Sequence, residues 1–246
     1  PGKLSETDQT KLESKAAAAY FALRRFPEAL DVYERLLSRD RLADVADLHL
    51  VYERIGDCLE KVGREQEAFA YYRRGRSYSK AVRLAEQLGL PRAEVLKLKI
   101  RGARDRKDFD SALRFAAETK NPRLVAEIRG QRNEHLGQHQ AAVDDFIEAG
   151  RWSKAIRSIR LAKLAFTEEY AAKCKLLVAV ALAEGVPKRS DKEQIMRVAR
   201  QVQEDPVWER YVSPQEMGLV YEKCATRAEA AMYYKTKIPE SDSSEG

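Results

Sequence analysis

The chain has 246 residues, of which 44% are hydrophobic and 34% are charged, and its net charge is +6. This length allows one large domain or two small ones, and the small basic excess permits nucleic acid or acidic membranes as partners without arguing for either. The three cysteines are isolated and form no CxxC pair, which argues against a disulfide framework or a zinc site and favours a reducing compartment. No apolar run approaches the roughly 18 residues of a membrane span, so we expect a cytoplasmic protein.

Apolar residues recur at helical spacing along nearly the whole chain, and the alternation that is typical of strands is almost absent. Pro27 and Pro214 stand where helices open, and Gly89-Leu90-Pro91 is a strong stop signal. In chain order, the pattern predicts helices over 5–24, 27–38, 44–62, 65–75, 78–88, 92–103, 109–119, 122–136, 139–149, 152–164, 168–184 and 191–204, and a final helical hairpin over 214–235.

A polar segment rich in helix breakers, Gly185 to Asp191, interrupts this rhythm. The end of the chain is acidic and rich in serine, which is typical of disorder. Because the chain begins with Pro1-Gly2-Lys3 and not with methionine, we expect it to be an excised fragment or a processed product. The predicted parts are helical repeats over 1–185, a linker over 186–190, C-terminal helices over 191–237 that pack on or cap the repeats, and a disordered tail over 238–246.

One helical hairpin is repeated in the sequence. Residues 66–86 align with residues 140–160, and both contain Ser-Lys-Ala, then Val or Ile, then Arg. In the same alignment Gly56 meets Gly130, while large aromatic residues occupy matching positions further on. Small residues where helices approach and large residues between hairpins are typical of tetratricopeptide repeats, which are helix pairs of about 34 residues. The repetition therefore predicts an all-α fold, a right-handed α-solenoid of tetratricopeptide-like hairpins.

The repeats are irregular. Residues 49–82 follow the tetratricopeptide pattern well, and residues 123–156 fit its second half. Residues 10–43 fit more loosely, and residues 90–122 keep the helices but lose the pattern. Solenoids of helix pairs are mostly binding scaffolds, so this prediction favours a protein that binds other molecules.

The tandem short helices at Tyr72–Val82 and Ala142–Ile156, with Gly185 closing a later helix, carry a further resemblance. They resemble the C-terminal helical solenoids of the large WD-repeat intraflagellar-transport subunits and of related vesicle-coat and tethering subunits. The resemblance implies a non-catalytic scaffold in a ciliary or vesicle transport assembly. No WD repeats are present, so it implies that the chain is one segment of such a subunit.

Motifs of enzyme chemistry are absent from the sequence. Neither a GxGxxG nor a GxxxxGK[ST] phosphate-binding loop occurs, and no basic residue can be placed beside the thiols from the sequence. His135 and His139 are four residues apart and could share a helix face as metal ligands, but no further ligand completes a closed site. We therefore expect no catalytic residues, no metal and no cofactor.

The first helix of a tetratricopeptide hairpin lines the concave groove of the solenoid, and this geometry selects a candidate site. Glu53, Asp57 and Glu60 share one helix face because they are spaced at i, i+4 and i+7. An acidic groove would bind a basic or amphipathic helical segment of a protein partner, although ordinary solvated charges also explain the pattern. The predicted groove residues are Glu53, Asp57, Glu60, Glu127, Gln131 and Glu134.

Two basic stretches support an alternative, a helical-repeat protein that binds nucleic acid or an acidic partner through its outer surface. No aromatic residues are interleaved with these charges as in base-stacking surfaces, and solvated helix faces are the simpler explanation. The residues of this predicted basic surface are Lys97, Lys99, Arg101, Arg104, Arg151, Lys154 and Arg157.

Overall fold

The computed structural model describes residues 5–38 and 47–238. This part of the chain contains fourteen α-helices, one short 3-10 helix and no strand, which confirms the predicted all-α class. No helix in it is long and apolar enough to cross a lipid bilayer. The predicted helical start at 44–46 and residues 239–246 of the predicted tail lie outside the described residues.

The helix bounds lie within a few residues of the predicted ones where both can be compared. The predicted final hairpin consists of two helices that each begin with a complete capping box, at Ser213 and at Thr226. The helices are α1 (Glu6–Ala22), α2 (Phe26–Leu37), α3 (Leu48–Lys61), α4 (Glu65–Arg74), α5 (Tyr78–Gln87), α6 (Arg92–Asp105), α7 (Phe109–Glu118), α8 (Pro122–His135), α9 (His139–Glu148), α10 (Trp152–Ala162), α11 (Phe166–Leu182), α12 (Arg189–Gln203), α13 (Pro214–Cys224) and α14 (Arg227–Lys237), with the 3-10 helix at Trp208–Arg210.

The first of two compact units, Pro1–Thr119, contains α1 to α7. Within this unit each helix from α1 to α6 packs against the next one along the chain. Its core includes the fully buried Leu59 and Tyr72. Gly56 lets α3 approach α4 closely, because a Cβ atom at this position would lie only 2.6 Å from the Tyr72 ring.

The second unit, Lys120–Gly246, contains α8 to α14. Its start repeats the first arrangement, since a Cβ atom on Gly130 of α8 would lie 2.8 Å from the Phe146 ring of α9. Its later helices pack more compactly, because α11 contacts α9, α10, α12 and α13. The predicted linker at 186–190 lies inside this unit, and α13 packs against α11 and α12.

Candidate functional site

Acidic side chains of α3 pair with basic side chains of α5 across the first unit. The Lys80 Nζ atom lies 2.7 Å from Glu53 Oε1 and 2.6 Å from Asp57 Oδ1. The Arg83 Nη2 atom lies 2.7 Å from Glu60 Oε2. We call these five residues the α3–α5 ladder. They connect two helices that are not consecutive along the chain.

The same arrangement recurs in the second unit between α8 and α10. Glu127 Oε1 lies 2.7 Å from Lys154 Nζ, and Glu127 Oε2 lies 2.5 Å from Arg151 Nη2. Glu134 Oε1 lies 2.6 Å from Arg157 Nη2. These five residues form the α8–α10 ladder, and the repeat alignment superimposes its Glu127 and Lys154 on Glu53 and Lys80 of the first ladder.

The two hairpins differ at two matching positions, and the two differences compensate each other. The Tyr72 hydroxyl, which has one proton to donate, lies within hydrogen-bond distance of two carboxylate oxygens, Asp57 Oδ1 at 2.8 Å and Glu60 Oε2 at 2.9 Å. In the second unit Phe146 replaces Tyr72 and Gln131 replaces Asp57. The hydroxyl and one of its two carboxylate acceptors are therefore absent together, so the replacement leaves no buried hydroxyl without a partner.

Burial and hydrogen bonding set the charge of these carboxyl groups. Burial opposes ionisation of Glu127, but hydrogen bonds from Lys154 and Arg151 outweigh it and hold its pKa below the usual value. The hydrogen bond from Lys80 likewise lowers the pKa of Glu53. These groups are charged at neutral pH, and each has a cationic side chain as its direct neighbour.

The electrostatic premise of the predicted acidic groove is therefore wrong. All five predicted carboxylates, at Glu53, Asp57, Glu60, Glu127 and Glu134, form ion pairs within their own unit. The sixth predicted residue, Gln131, donates a hydrogen bond to Glu127 Oε1 at 3.2 Å. The basic neighbours lie beside these carboxylates, so the face carries no large acidic excess. Binding of a partner by these residues stays a prediction.

The predicted basic surface is largely paired as well. Lys97 lies 2.7 Å from Glu94, and Lys99 lies 2.9 Å from Glu86. Arg101 and Arg104 also lie on α6. The other three predicted basic residues, Arg151, Lys154 and Arg157, belong to the α8–α10 ladder. The predicted acidic groove and the predicted basic surface are therefore not independent sites, because some residues of one form ion pairs with residues of the other.

A groove of about 920 Å³ lies in the second unit. It is formed by the N-terminal ends of α8, α10 and α12, the C-terminal ends of α9 and α11, and residues 183–188. We call it the α8–α12 groove. Two large apolar residues on its wall are open to solvent, since Leu182 is 69% exposed and Val186 is 66% exposed. Sequence reasoning missed both, although Leu182 lies at the end of the most apolar run of the chain.

The groove is lined by four basic and three acidic residues, so its positive excess is small. Among the acidic residues, Asp191 forms no ion pair within the described part of the chain and accepts a hydrogen bond from the Ser153 hydroxyl. Arg123 and Lys188 line it and are exposed, and neither forms an ion pair with any residue of 5–38 or 47–238. The N-terminal ends of α8, α10 and α12 add positive partial charge, because the first backbone N–H groups of a helix have no partner within the helix. The groove therefore combines an apolar wall with groups that favour an anion.

A lysine holds one wall of the α8–α12 groove in place. Lys223 of α13 donates hydrogen bonds to the carbonyl oxygens of Ala181 and Ala183 at 2.6 Å and of Val180 at 3.1 Å. These carbonyls belong to the last turn of α11 and the residue that follows it, where no backbone donor of the helix remains. The ammonium group thus supplies hydrogen-bond donors to the C-terminal end of the helix that presents Leu182.

The histidines and cysteines of the described residues are the side chains to examine for metal binding or nucleophilic chemistry. Among them, no group of three or more His, Cys, Asp or Glu residues is placed to hold a metal ion. His135 ends α8 and His139 begins α9, so they do not share one helix face. Burial raises the pKa of Cys58, Cys174 and Cys224 to about 11, which keeps all three thiols protonated at neutral pH.

Comparison with known proteins does not add a family. No protein-family model matches the chain, and no curated protein is significantly similar to it. The resemblance to intraflagellar-transport and vesicle-coat subunits rests on the sequence motifs alone.

Proposed function

We propose that this chain is a non-catalytic protein-interaction scaffold, a segment of a larger assembly, built as a right-handed α-solenoid of tetratricopeptide-like hairpins. The repeated arrangement of α3 to α5 in α8 to α10, including its ion pairs, supports the repeat. The α8–α12 groove carries the functional part of the proposal. It presents exposed apolar residues beside cationic groups in a concave surface.

Burial of the exposed wall supplies the driving force for binding. Leu182 and Val186 would each contribute up to about 1.5–3 kcal/mol if a partner removed them from water. Arg123 and Lys188 favour carboxylates on that partner, and so do the helix N-termini. The partner that fits is an extended or helical protein segment with Asp or Glu next to an apolar residue.

The charge of the groove changes the expected partner. The prediction of a basic segment requires unpaired carboxylates on α3 and α8, whereas these groups are neutralised within each unit. The nucleic-acid alternative loses support for the same reason, because most of its basic residues are paired. An acidic and apolar protein segment agrees better with the groups that remain free.

The setting we propose is the cytoplasm, in a ciliary or vesicle transport assembly. This part of the proposal is supported only by the resemblance of the hairpins at Tyr72–Val82 and Ala142–Ile156 to subunits of such assemblies. The identity of the partner that the groove captures will test it.

The test compares groove variants of the full chain with a matched surface variant. Leu182→Asp and Val186→Asp place a carboxylate in the groove, and Met232→Asp changes an equally exposed apolar residue of α14. Proteins captured from a cell lysate are identified by mass spectrometry, purified, and measured again for binding to each variant. We expect a partner whose affinity falls at least about tenfold in both groove variants and is unchanged in Met232→Asp.

Two results would overturn the proposal. One is a set of purified partners that bind all three variants equally. The other is capture that disappears after nuclease treatment and falls steeply between low and physiological salt, which would identify nucleic acid as the ligand.

A further inference from the structure

A second surface of the second unit, distinct from the α8–α12 groove, exposes aromatic rings. Phe166 and Tyr170 of α11 stack with 6.3 Å between ring centroids, and Tyr211 meets Tyr170 edge to face at 5.4 Å. Phe166 is 77% exposed and Tyr211 is 54% exposed. Large aromatic rings are usually buried, and a cluster of exposed ones marks a site of interaction.

Two of these rings border a cavity of about 500 Å³ between α11 and the end of α12. Phe166 and Tyr170 form one side, and Glu204, Asp205 and Pro206 form the other. The Tyr170 hydroxyl donates a hydrogen bond to the carbonyl oxygen of Val202 at 3.2 Å, which fixes the ring against α12. We call this cavity the α11–α12 pocket.

The charge of the α11–α12 pocket is negative. Glu169 and Lys173 on its wall pair with each other at 2.7 Å. Glu204 is exposed and forms no ion pair within the described part of the chain. The Asp205 carboxylate accepts a hydrogen bond from the Val207 N–H at 2.9 Å, which orients it. The C-terminal end of α12 adds negative partial charge at the same place.

We propose that the α11–α12 pocket binds an arginine side chain presented by a protein partner. A guanidinium group stacks on aromatic faces and donates several hydrogen bonds in a fixed plane, so it can use the rings and the two carboxylates at once. A lysine ammonium is a compact, strongly hydrated charge and makes less of a flat aromatic wall. Pro206 and the exposed edge of Phe166 offer apolar contact to the residues that flank the arginine.

This inference does not depend on the α8–α12 groove. The groove has a small excess of basic residues and favours an acidic segment, whereas the pocket has an excess of acidic residues and favours a basic one. The two surfaces use opposite ends of the same two helices: the groove uses the C-terminal end of α11 and the N-terminal end of α12, and the pocket uses the other two ends. A scaffold with both would hold two partners of opposite charge.

The experiment uses the full chain and three synthetic peptides of one design. The first is an acetylated and amidated heptapeptide, Gly-Ala-Arg-Leu-Arg-Ala-Gly. In the second, lysine replaces arginine, and in the third, citrulline does, which keeps the shape of arginine and removes its charge. Binding is measured by titration of the labelled peptides. We expect the arginine peptide to bind roughly tenfold or more tightly than the citrulline peptide, and several-fold more tightly than the lysine peptide.

Variants locate the site. We expect Phe166→Ala and Glu204→Gln each to weaken binding of the arginine peptide by about tenfold. The first variant removes an aromatic ring and the second removes a charged acceptor for the guanidinium group. The control Glu193→Gln changes an exposed carboxylate on α12, the helix that ends just before Glu204. Glu193 does not line the pocket, so binding should stay as in the unmodified chain. Phe166 and Glu204 are exposed, so both variants should keep the helical circular dichroism of the chain.

Three results would overturn the inference. They are no binding of the arginine peptide, equal binding of the citrulline peptide, and equal loss of binding in Glu193→Gln and Glu204→Gln. Leu182→Asp in the α8–α12 groove should leave arginine binding intact, so a failure of the groove proposal and a failure of this one can be told apart.

Discussion

Glycine occupies the same position in both repeated hairpins because an aromatic ring lies directly over it. The Tyr72 ring covers Gly56, and the Phe146 ring covers Gly130. A third instance occurs between α13 and α14, where a Cβ atom on Gly218 would lie 2.8 Å from Tyr234. The space that a methyl group would need is therefore filled by a side chain of the neighbouring helix.

This contact predicts the effect of a small substitution. Gly130→Ala should lower the free energy of unfolding by about 1–3 kcal/mol, because the buried Phe146 ring must move to admit the methyl group. Gly185→Ala is the control, since its Cβ atom would meet nothing within 4 Å. Urea denaturation of both variants measures the difference. Equal midpoints for the two would contradict the packing argument.

The buried carboxylate of the α8–α10 ladder predicts a dependence of stability on pH. The pKa of Glu127 is lower in the folded chain than its ordinary value of 4.5. Its ionised form therefore stabilises the fold above the unfolded pKa, and this stabilisation is lost as the pH falls through the folded pKa. We expect Glu127→Gln to be less stable at neutral pH and to lose less stability than the unmodified chain between about pH 7 and about pH 3.

Thermal denaturation across that pH range measures the effect. Asp144→Asn is the matched control, because Asp144 pairs with Lys175 at an exposed site where ion pairs contribute little. A pH profile of Glu127→Gln that parallels the profile of the unmodified chain would show that the ladder carboxylate does not contribute to the pH dependence.

At the scale of helices, several helices end in the same way, with the same hydrogen bond and a residue of positive φ at the turn. The Arg64 N–H donates to the carbonyl oxygen of Leu59 at 2.8 Å, and the Asp108 N–H donates to that of Ala103 at 2.9 Å. The residue before each donor has a positive φ, which is +80° at Gly63 and +59° at Lys107. This bond pattern stops a helix and satisfies carbonyls that have no partner within it.

These helix ends show which features of the fold the sequence predicts and which it does not. Gly63 and Gly89 signalled their helix ends because glycine adopts a positive φ without strain. Lys107 carried no such signal, and its helix end followed only from the change in apolar spacing. The ladders were missed because Glu53 and Lys80 lie on helices that are not consecutive, and apolar spacing does not say which helices lie side by side. Their recurrence in both copies of the hairpin was the one signal that could have revealed them.

The end of α11 gives a prediction about an element. Lys223→Met keeps the length of the side chain and removes all three hydrogen bonds to the last carbonyls of α11. We expect a loss of about 1–3 kcal/mol in stability, because partly buried carbonyls lose a charged donor. We also expect faster amide hydrogen exchange in the last turn of α11, which presents Leu182 to the groove.

Lys175→Met is the control for this prediction, since Lys175 pairs with Asp144 at an exposed site. Thermal denaturation should place this control within about 0.5 kcal/mol of the unmodified chain. If hydrogen exchange near Leu182 is the same in Lys223→Met and Lys175→Met, then Lys223 does not hold the groove wall.

At the scale of the whole molecule, net charge was a poor guide to function. The value of +6 left nucleic acid open as a partner. Many of the basic residues are consumed by ion pairs inside a unit, as in the two ladders. Among the described residues without an ion pair, Arg123 and Lys188 lie at the α8–α12 groove and Glu204 lies at the α11–α12 pocket. A partner would recognise this local difference in charge, which the net charge of the chain does not show.

The two units have separate cores, and this separation predicts how the chain responds to core damage. Leu59 belongs to the core of the first unit and Leu177 to the core of the second, and both are fully buried. Replacing either by alanine should cost about 2–5 kcal/mol in the unit that contains it. In Leu177→Ala we expect faster amide hydrogen exchange across residues 120–238 and unchanged exchange across 5–38 and 47–119. Leu59→Ala should give the converse pattern. Equal acceleration in both units by either variant would show that the chain unfolds as one cooperative body.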